Sequence, residues 1–146
     1  MEITVKTFEE LTLDELYTIL QLRSEIFVVE QDCVYQDIDG KDQESLHVMG
    51  MEDDKLIAYS RCIKPGEYFD EASIGRVLVR ENYRNLGYGN QIFRAAIQAV
   101  ETKFNTAKIK ISAQIYLVIF YEGHGFKTIG KRYLEDGIPH IAMVRA

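Results

Sequence analysis

The sequence predicts a mixed α/β (α+β) fold in which helices pack on a central sheet, in one domain spanning residues 1–146. Three observations lead there. Apolar residues recur at strand spacing in seven segments and at helical spacing in three, in the order β, α, β, β, β, α, β, α, β, β. The length, 146 residues, suits one domain with a sizeable core. No repeat, low-complexity tract or linker divides the chain, and its two prolines, Pro65 and Pro139, interrupt no periodic segment.

Each element has its own signal. Ile3, Val5 and Phe8 alternate with Glu2, Thr4 and Lys6 in a half-buried strand over 2–8. Thr12 and Glu15 make a capping box for a helix running to about Phe27, with Leu13, Leu16, Tyr17 and Leu20 as its apolar face. Glu30 to Glu44 is acidic and turn-rich, a loop containing the tight turn Asp39-Gly40. Strands follow at 46–52 and 55–64 across the turn Glu52-Asp53-Asp54, and again at 73–80. Ile92, Phe93, Ala96, Ile97 and Val100 share one helical face. Strict alternation gives a strand over 107–113, and Ile115 to Glu122 is a short apolar helix ending at Gly123-His124-Gly125. Two strands, 126–130 and 139–144, close the chain across the turn Glu135-Asp136-Gly137.

Composition excludes several classes. Hydrophobic residues are 47% and charged residues 27%, and seven Phe and nine Tyr are spread among aliphatics, so the chain is not disordered. The longest apolar run, Ile115 to Tyr121, is seven residues, far short of the ~20 that span a membrane. The N-terminus has no basic stretch followed by an apolar one, so no secretory signal is expected. Two Cys without such a signal fit a reducing, cytoplasmic setting. A net charge of −6 argues against a nucleic-acid surface, yet leaves room for a local basic pocket for one anionic ligand.

The most informative segment is Arg84-Asn85-Leu86-Gly87-Tyr88-Gly89, set between a strand and an amphipathic helix. Two glycines let the backbone turn tightly and expose N–H groups, and the helix that follows directs its positive end at the same spot. Arg84 adds a cation, and the whole is an anion site suited to phosphate. It is not a P-loop, because Gly89 is followed by Asn90 and Gln91. Nor is it a dinucleotide fingerprint, because the third small residue is replaced by Ile92. The plainer reading is a glycine-containing turn without a ligand.

In this setting Arg-x-x-Gly-x-Gly resembles motif A of the GNAT superfamily of acyl-CoA-dependent N-acetyltransferases. A second element agrees: Phe120-Tyr121-Glu122-Gly123-His124-Gly125-Phe126 resembles that family's late Tyr-Glu-x-x-Gly-Phe helix and turn. The resemblance covers nearly the whole chain and implies a mixed, mostly antiparallel sheet. It implies a cofactor site of Leu78, Val79, Arg84, Asn85, Leu86, Gly87, Tyr88, Gly89, Asn90, Gln114 and Phe120 for acetyl-CoA, with no metal. It also implies Tyr121 beside the cofactor sulfur. Leu22 to Gln31, Asp37 to Asp42 and Glu135 to Met143 are similar to the ElaA-like branch. The ending Gly137-Ile138-Pro139-His140-Ile141-Ala142-Met143 is also similar to that of glyphosate N-acetyltransferases, which implies His140 as base and Arg76 as a substrate contact. Val28 and Gln114 stand where those enzymes carry Arg, which argues against a small dianionic substrate.

Acetyl transfer to an amine needs an anchored pyrophosphate, a polarised thioester carbonyl, a base for the ammonium and a donor for the departing sulfur. On the family's pattern the polarising N–H belongs to Leu78 or Val79, the base is His140 and the donor is Tyr121. Direct attack in a ternary complex needs no covalent nucleophile, so Cys33 and Cys62 need no role. Each residue has a plainer reading: Tyr121 as a core tyrosine and His140 as a structural histidine. His124 reads as an exposed turn residue, and His47 and Cys62 as packing residues. Cys33 reads as packed rather than facing substrate. Glu30, Gln31 and Tyr35 border the acceptor pocket by the family likeness, and the charges at 36–44 read as a solvated loop. The expected partners are a small-molecule or peptide amine, with no nucleic acid or membrane, in a monomer or homodimer. A non-catalytic acyl-CoA-binding sensor is the alternative.

Overall fold

A computed structural model describes residues 1–146. Strand β1 (Glu2–Thr7) leads to helix α1 (Leu13–Arg23). Thr12 Oγ1 accepts from the Glu15 N–H at 3.0 Å while Glu15 Oε1 accepts from the Thr12 N–H at 2.9 Å, the capping box expected from the sequence. Beyond Arg23 the helix widens into a π-helical segment, Ser24–Glu30, instead of continuing as α-helix to Phe27. The buried face also differs from expectation. Ile19, Leu22 and Ile26 are buried, while Leu13 and Tyr17 are exposed. Two apolar stripes run along this helix, and packing against the sheet selects the one that the local pattern did not favour.

Strands β2 (Leu46–Glu52), β3 (Lys55–Ile63) and β4 (Ser73–Val79) join β1 in an antiparallel sheet of order β1-β2-β3-β4. After helix α2 (Tyr88–Lys103), strand β5 (Ile109–Gln114), the short helix α3 (Val118–Glu122), β6 (Lys127–Glu135) and β7 (Ile138–Arg145) form a second antiparallel sheet of order β5-β7-β6. The two halves meet at a parallel bridge between Ala72 and Ile109, where the Lys110 N–H donates to the Ala72 carbonyl at 2.9 Å. The predicted element order is therefore present, with the central sheet opened along one seam.

Strand alternation distributes the core to both faces of the first sheet. Val48, Ala58, Cys62 and Ile74 pack with Ile92, Phe93, Ala96 and Val100 of α2. Met49, Leu56, Tyr59 and Leu78 pack with Ile19, Leu22 and Ile26. Strand β6 runs five residues beyond the expected 126–130, because the edge hairpin is exposed on both faces and shows no apolar alternation. Its turn has the expected composition, with Asp136 (φ 52°) and Gly137 (φ 77°) both left-handed. No helix is long and apolar enough to cross a membrane.

Phe93 lies at the centre of this arrangement. Its ring meets Phe120, Tyr121, His124 and Phe126 at centroid distances of 5.7, 5.2, 5.0 and 5.6 Å. It is thus the contact that fixes α3 against α2. We expect Phe93→Ala to lower stability by roughly 3–5 kcal/mol, read as a fall in the urea midpoint at unchanged slope.

Candidate active site

The seam between the two sheets forms the site. β4 and β5 start together at Ala72 and Ile109 and then part. The cause lies in β4, where Tyr59 pairs with Leu78 but Arg61 pairs with Gly75, so that Ser60 faces both Arg76 and Val77. This is a β-bulge, and Arg76 adopts φ 51° within it. A bulge bends its strand and raises its twist, which carries the end of β4 away from β5. The gap is a cleft of about 780 Å³.

The register decides which backbone groups face it. The Arg80 N–H donates to the Ile57 carbonyl at 2.7 Å, so Leu78 also turns its N–H towards β3 and Val79 turns its own towards the open edge. Of the two residues singled out in the sequence, Val79 is the one with a free cleft-facing N–H.

Of the 84–90 turn only Arg84 lines the cleft, while Gly89 lies behind it against Val79 and Phe120. Asn85 (φ 65°) and Gly87 (φ 83°) are left-handed, and a Cβ at Gly87 would stand in open space. The first helical bond of α2 joins the Gln91 N–H to the Gly87 carbonyl at 3.2 Å. The N–H groups of Tyr88, Gly89 and Asn90 are left without intrahelical partners, and the first turn has no acidic residue. Leu86 is exposed. Arg84 is not a free cation: its Nε donates to the Val79 carbonyl at 2.9 Å, and its guanidinium pairs with Glu30 at 2.8 Å. The Tyr88 hydroxyl bonds Glu52 at 2.6 Å. His124 is half-buried, not the exposed turn residue expected, because its ring packs on Phe93 and Phe120 at 5.0 and 5.1 Å, while Nε2 bonds the Asn90 side chain at 3.0 Å.

Tyr121, from α3, reaches the cleft from the other side with 8% of its surface exposed. Burial pushes its pKa up to about 12, so the phenol is a neutral donor across the physiological range. Phe120 stands behind it, packed on Phe93 and within reach of Gly89. Gln114 closes β5 opposite His140. His140 is 5% exposed and lines the cleft. Its Nδ1 lies 2.7 Å from the Ile138 carbonyl, and its Nε2 lies 3.4 Å from Glu135 Oε2.

Glu30, Gln31, Tyr35 and Arg76 line the same cleft as a roof. The charges at 36–44 are not a solvated loop. Asp37 and Asp42 are buried, and Arg23 is fully so. Arg23 pairs with Asp37 at 2.9 Å and Asp42 at 2.7 Å, Arg61 with Asp39 at 2.8 Å and Asp42 at 3.0 Å, and Arg76 with Asp37 at 2.7 Å. Arg76 also lies 5.5 Å over the Tyr35 ring. The residue read as a substrate contact is thus bound to the roof. Two sequence signals pointed to this network: a charge inside the apolar strand Lys55–Ile63, and alternating Asp at 37 and 39, since buried charges require partners. His47 is structural, bonded to the Tyr59 hydroxyl at 2.7 Å and the Asp42 carbonyl at 2.9 Å. Cys62 is a core residue, and Cys33 is packed, with its thiol 3.3 Å from the Asp136 carbonyl.

Comparison with known proteins decides the family. The family model described as "Acetyltransferase (GNAT) domain" matches residues 13–146. The chain belongs to the GNAT acetyltransferases. It is 40% identical to the protein ElaA of Escherichia coli over 138 residues, 93% of this chain and 90% of that protein. The E. coli ElaA crystal structure superposes with a TM-score of 0.92 at 37% identity, over 99% of each chain. An acyl-CoA N-acyltransferase from Pseudomonas aeruginosa superposes with a TM-score of 0.94 at 42% identity, over 100% of each chain. This GNAT chain is therefore an ElaA-like member with the fold of acyl-CoA-dependent acyltransferases.

The ionic roof makes stability depend on acid. Burial raises the Asp39 pKa, but the hydrogen bonds and charge of Arg61 outweigh it and hold the carboxyl at about 2. Such a depressed group stabilises the fold fully above its unfolded value near pH 4, and that contribution is lost as pH falls through about 2. Asp39→Asn is expected to flatten the acid limb of a stability–pH curve between about pH 4 and 2. Arg23→Ala, which leaves two carboxylates buried, is expected to cost roughly 3–5 kcal/mol by urea unfolding.

Proposed function

We propose that residues 1–146 form one acetyltransferase domain that moves acetyl from acetyl-CoA to a primary amine, on a small molecule or peptide, by direct attack in a ternary complex. The observation that carries this reading is the convergence of three groups on one cleft: the open-edge N–H of Val79, the neutral phenol of Tyr121 and the imidazole of His140.

The residues fit the pyrophosphate of acetyl-CoA. Three unpartnered N–H groups, on Tyr88, Gly89 and Asn90, open at the positive end of a 16-residue helix, and the empty space over Gly87 admits a phosphate close to the backbone. Charge-assisted hydrogen bonds contribute about 1.5–3 kcal/mol each. A few of them supply a large part of the roughly 8 kcal/mol that a micromolar complex requires. Arg84 acts indirectly here, tying the turn to the Val79 carbonyl and so holding the Val79 peptide in place.

Val79 presents its N–H where negative charge grows on the thioester oxygen as the amine adds. His140 takes the proton that the incoming ammonium must lose. Tyr121 donates a hydrogen bond to the departing sulfur. With its pKa near 12, against about 8.5 for an ordinary thiol, full proton transfer from the phenol is uphill. The hydrogen bond itself is therefore the stabilising contribution, and the proton that completes the thiol comes from solvent.

Tyr121→Phe is then expected to lower kcat about 10- to 100-fold, the worth of one hydrogen bond to a developing charge, while calorimetric acetyl-CoA affinity is kept. Thiol release across an amine panel reads the first quantity. Failure of acetyl-CoA to bind would overturn the reading. Binding without turnover of any amine would replace it with an acyl-CoA-binding role.

A further inference from the structure

We propose that Glu135 and His140 together form a seat for the acceptor's ammonium group, which makes the acceptor a cationic primary amine without a carboxylate beside the reacting nitrogen. This inference rests on the acetyltransferase reading above and names its substrate class.

The argument begins with the tautomer of His140. Nδ1 lies 2.7 Å from the Ile138 carbonyl, which only accepts, so Nδ1 carries the hydrogen. In the neutral ring Nε2 is then a bare acceptor. It belongs to a residue only 5% exposed, makes no hydrogen bond within the chain, and faces Glu135 Oε2 at 3.4 Å. Both atoms are open to the cleft, Glu135 with 39% of its side chain exposed, so a donor entering from the cleft can satisfy the two at once. An ammonium, with three N–H groups, can donate to Nε2 and to Oε2 while its substituent points along the cleft.

Glu135 is prepared for this. Its Oε1 accepts from the Ser112 hydroxyl at 3.2 Å and from the Tyr68 hydroxyl at 3.5 Å, and Ser112 is itself bonded to the Tyr133 hydroxyl. These neutral partners orient the carboxylate without cancelling its charge, and Oε2 stays directed at His140. No Lys or Arg pairs with Glu135 or with the adjacent Asp136, and both line the cleft.

The cleft's other charges sharpen the selection. Arg61 and Arg76 are neutralised by Asp37, Asp39 and Asp42, and Arg84 by Glu30. Lys41 is the one lining cation without a carboxylate partner, and it lies 5.9 Å over the Tyr68 ring. Two free carboxylates against one ammonium leave this end of the cleft negative, which favours cations and disfavours a substrate carboxylate. In the reaction one proton passes from R–NH3⁺ to His140 Nε2, giving R–NH2 and an imidazolium. Glu135 then holds the imidazolium while the amine's freed lone pair turns to the thioester carbon.

The test separates this inference from the acetyltransferase reading. Ethylammonium is titrated into the protein saturated with CoA, followed by the NMR signal of the His140 ring. Saturable binding is expected, weakened about tenfold or more by Glu135→Gln, partly restored by Glu135→Asp, and with CoA affinity unchanged throughout. Propionate should not compete. Thiol release is compared for phenethylamine and phenylalanine, and preference for the former is expected to shrink in Glu135→Gln. Ethylammonium that leaves His140 unperturbed, or binds Glu135→Gln as tightly, overturns the seat even where acetyl-CoA binds and amines turn over. Equal turnover of phenylalanine and phenethylamine overturns the substrate class. Loss of CoA binding in the unmodified protein would instead count against the acetyltransferase reading.

Discussion

Everything at the cleft depends on one extra residue in β4. Arg76 occupies a left-handed conformation within an antiparallel ladder, at a cost of about 1–2 kcal/mol for a residue with a Cβ. That bulge separates β4 from β5 after a single parallel bridge. It leaves the edge of β4 unpaired, frees the Val79 N–H and opens the cleft that Tyr121 and His140 also line. A regular β4 would pair with β5 along its length and close the space.

The strained residue is held by its own side chain. Arg76 Nε donates to Asp37 Oδ1 at 2.7 Å, and its terminal nitrogen donates to the Asp37 carbonyl at 3.0 Å. Bonds of that kind, at about 1.5–3 kcal/mol each, are large enough to offset the backbone cost. Asp37 is in turn held by Arg23, and Asp42 by Arg23 and Arg61. The bulge, the end of α1 and the 31–42 segment are therefore one electrostatic unit. A buried ion network is a weak source of stability compared with an apolar core of the same volume. Its value here is positional, because it sets a roof made of polar backbone at a defined height over the cleft.

The sequence made the fold legible where a pattern was local. The capping box at Thr12, the apolar face of α2, the alternation of β5 and the Gly-containing turn at 84–90 were all readable, because each depends on residues within one or two turns of one another. Of the candidate site, the sequence motifs singled out Arg84, Tyr121 and His140, and the fold brings these three to the lining of one cleft. What could not be read depends on distant partners. The bulge falls on Arg76, although Gly75 beside it is the residue a local rule would choose. The choice between the two stripes of α1 is made by β2 and β3. The acids at 37, 39 and 42 read as solvated because their arginines lie up to 39 residues away in sequence. Glu135 read only as part of a turn, because its partners Ser112, Tyr68 and His140 come from three other segments.

The charges of the cleft follow from the same economy. A fold that opens a strand edge beside an anion-binding helix end must keep stray cations from collapsing into it, and each arginine on the cleft wall is held by a carboxylate of the roof or by Glu30. With the arginines committed to architecture, the charge left free to meet a ligand is at the helix end on one side and, on the other, at Glu135 and Asp136 against the single cation Lys41. One end therefore suits an anion and the other a cation, with Val79 and Tyr121 between them. On the proposed reading, a phosphate-bearing acyl donor and an ammonium-bearing acceptor would be drawn to opposite ends and meet at the middle, so that the polarity of the cleft would order the two substrates before any chemistry begins.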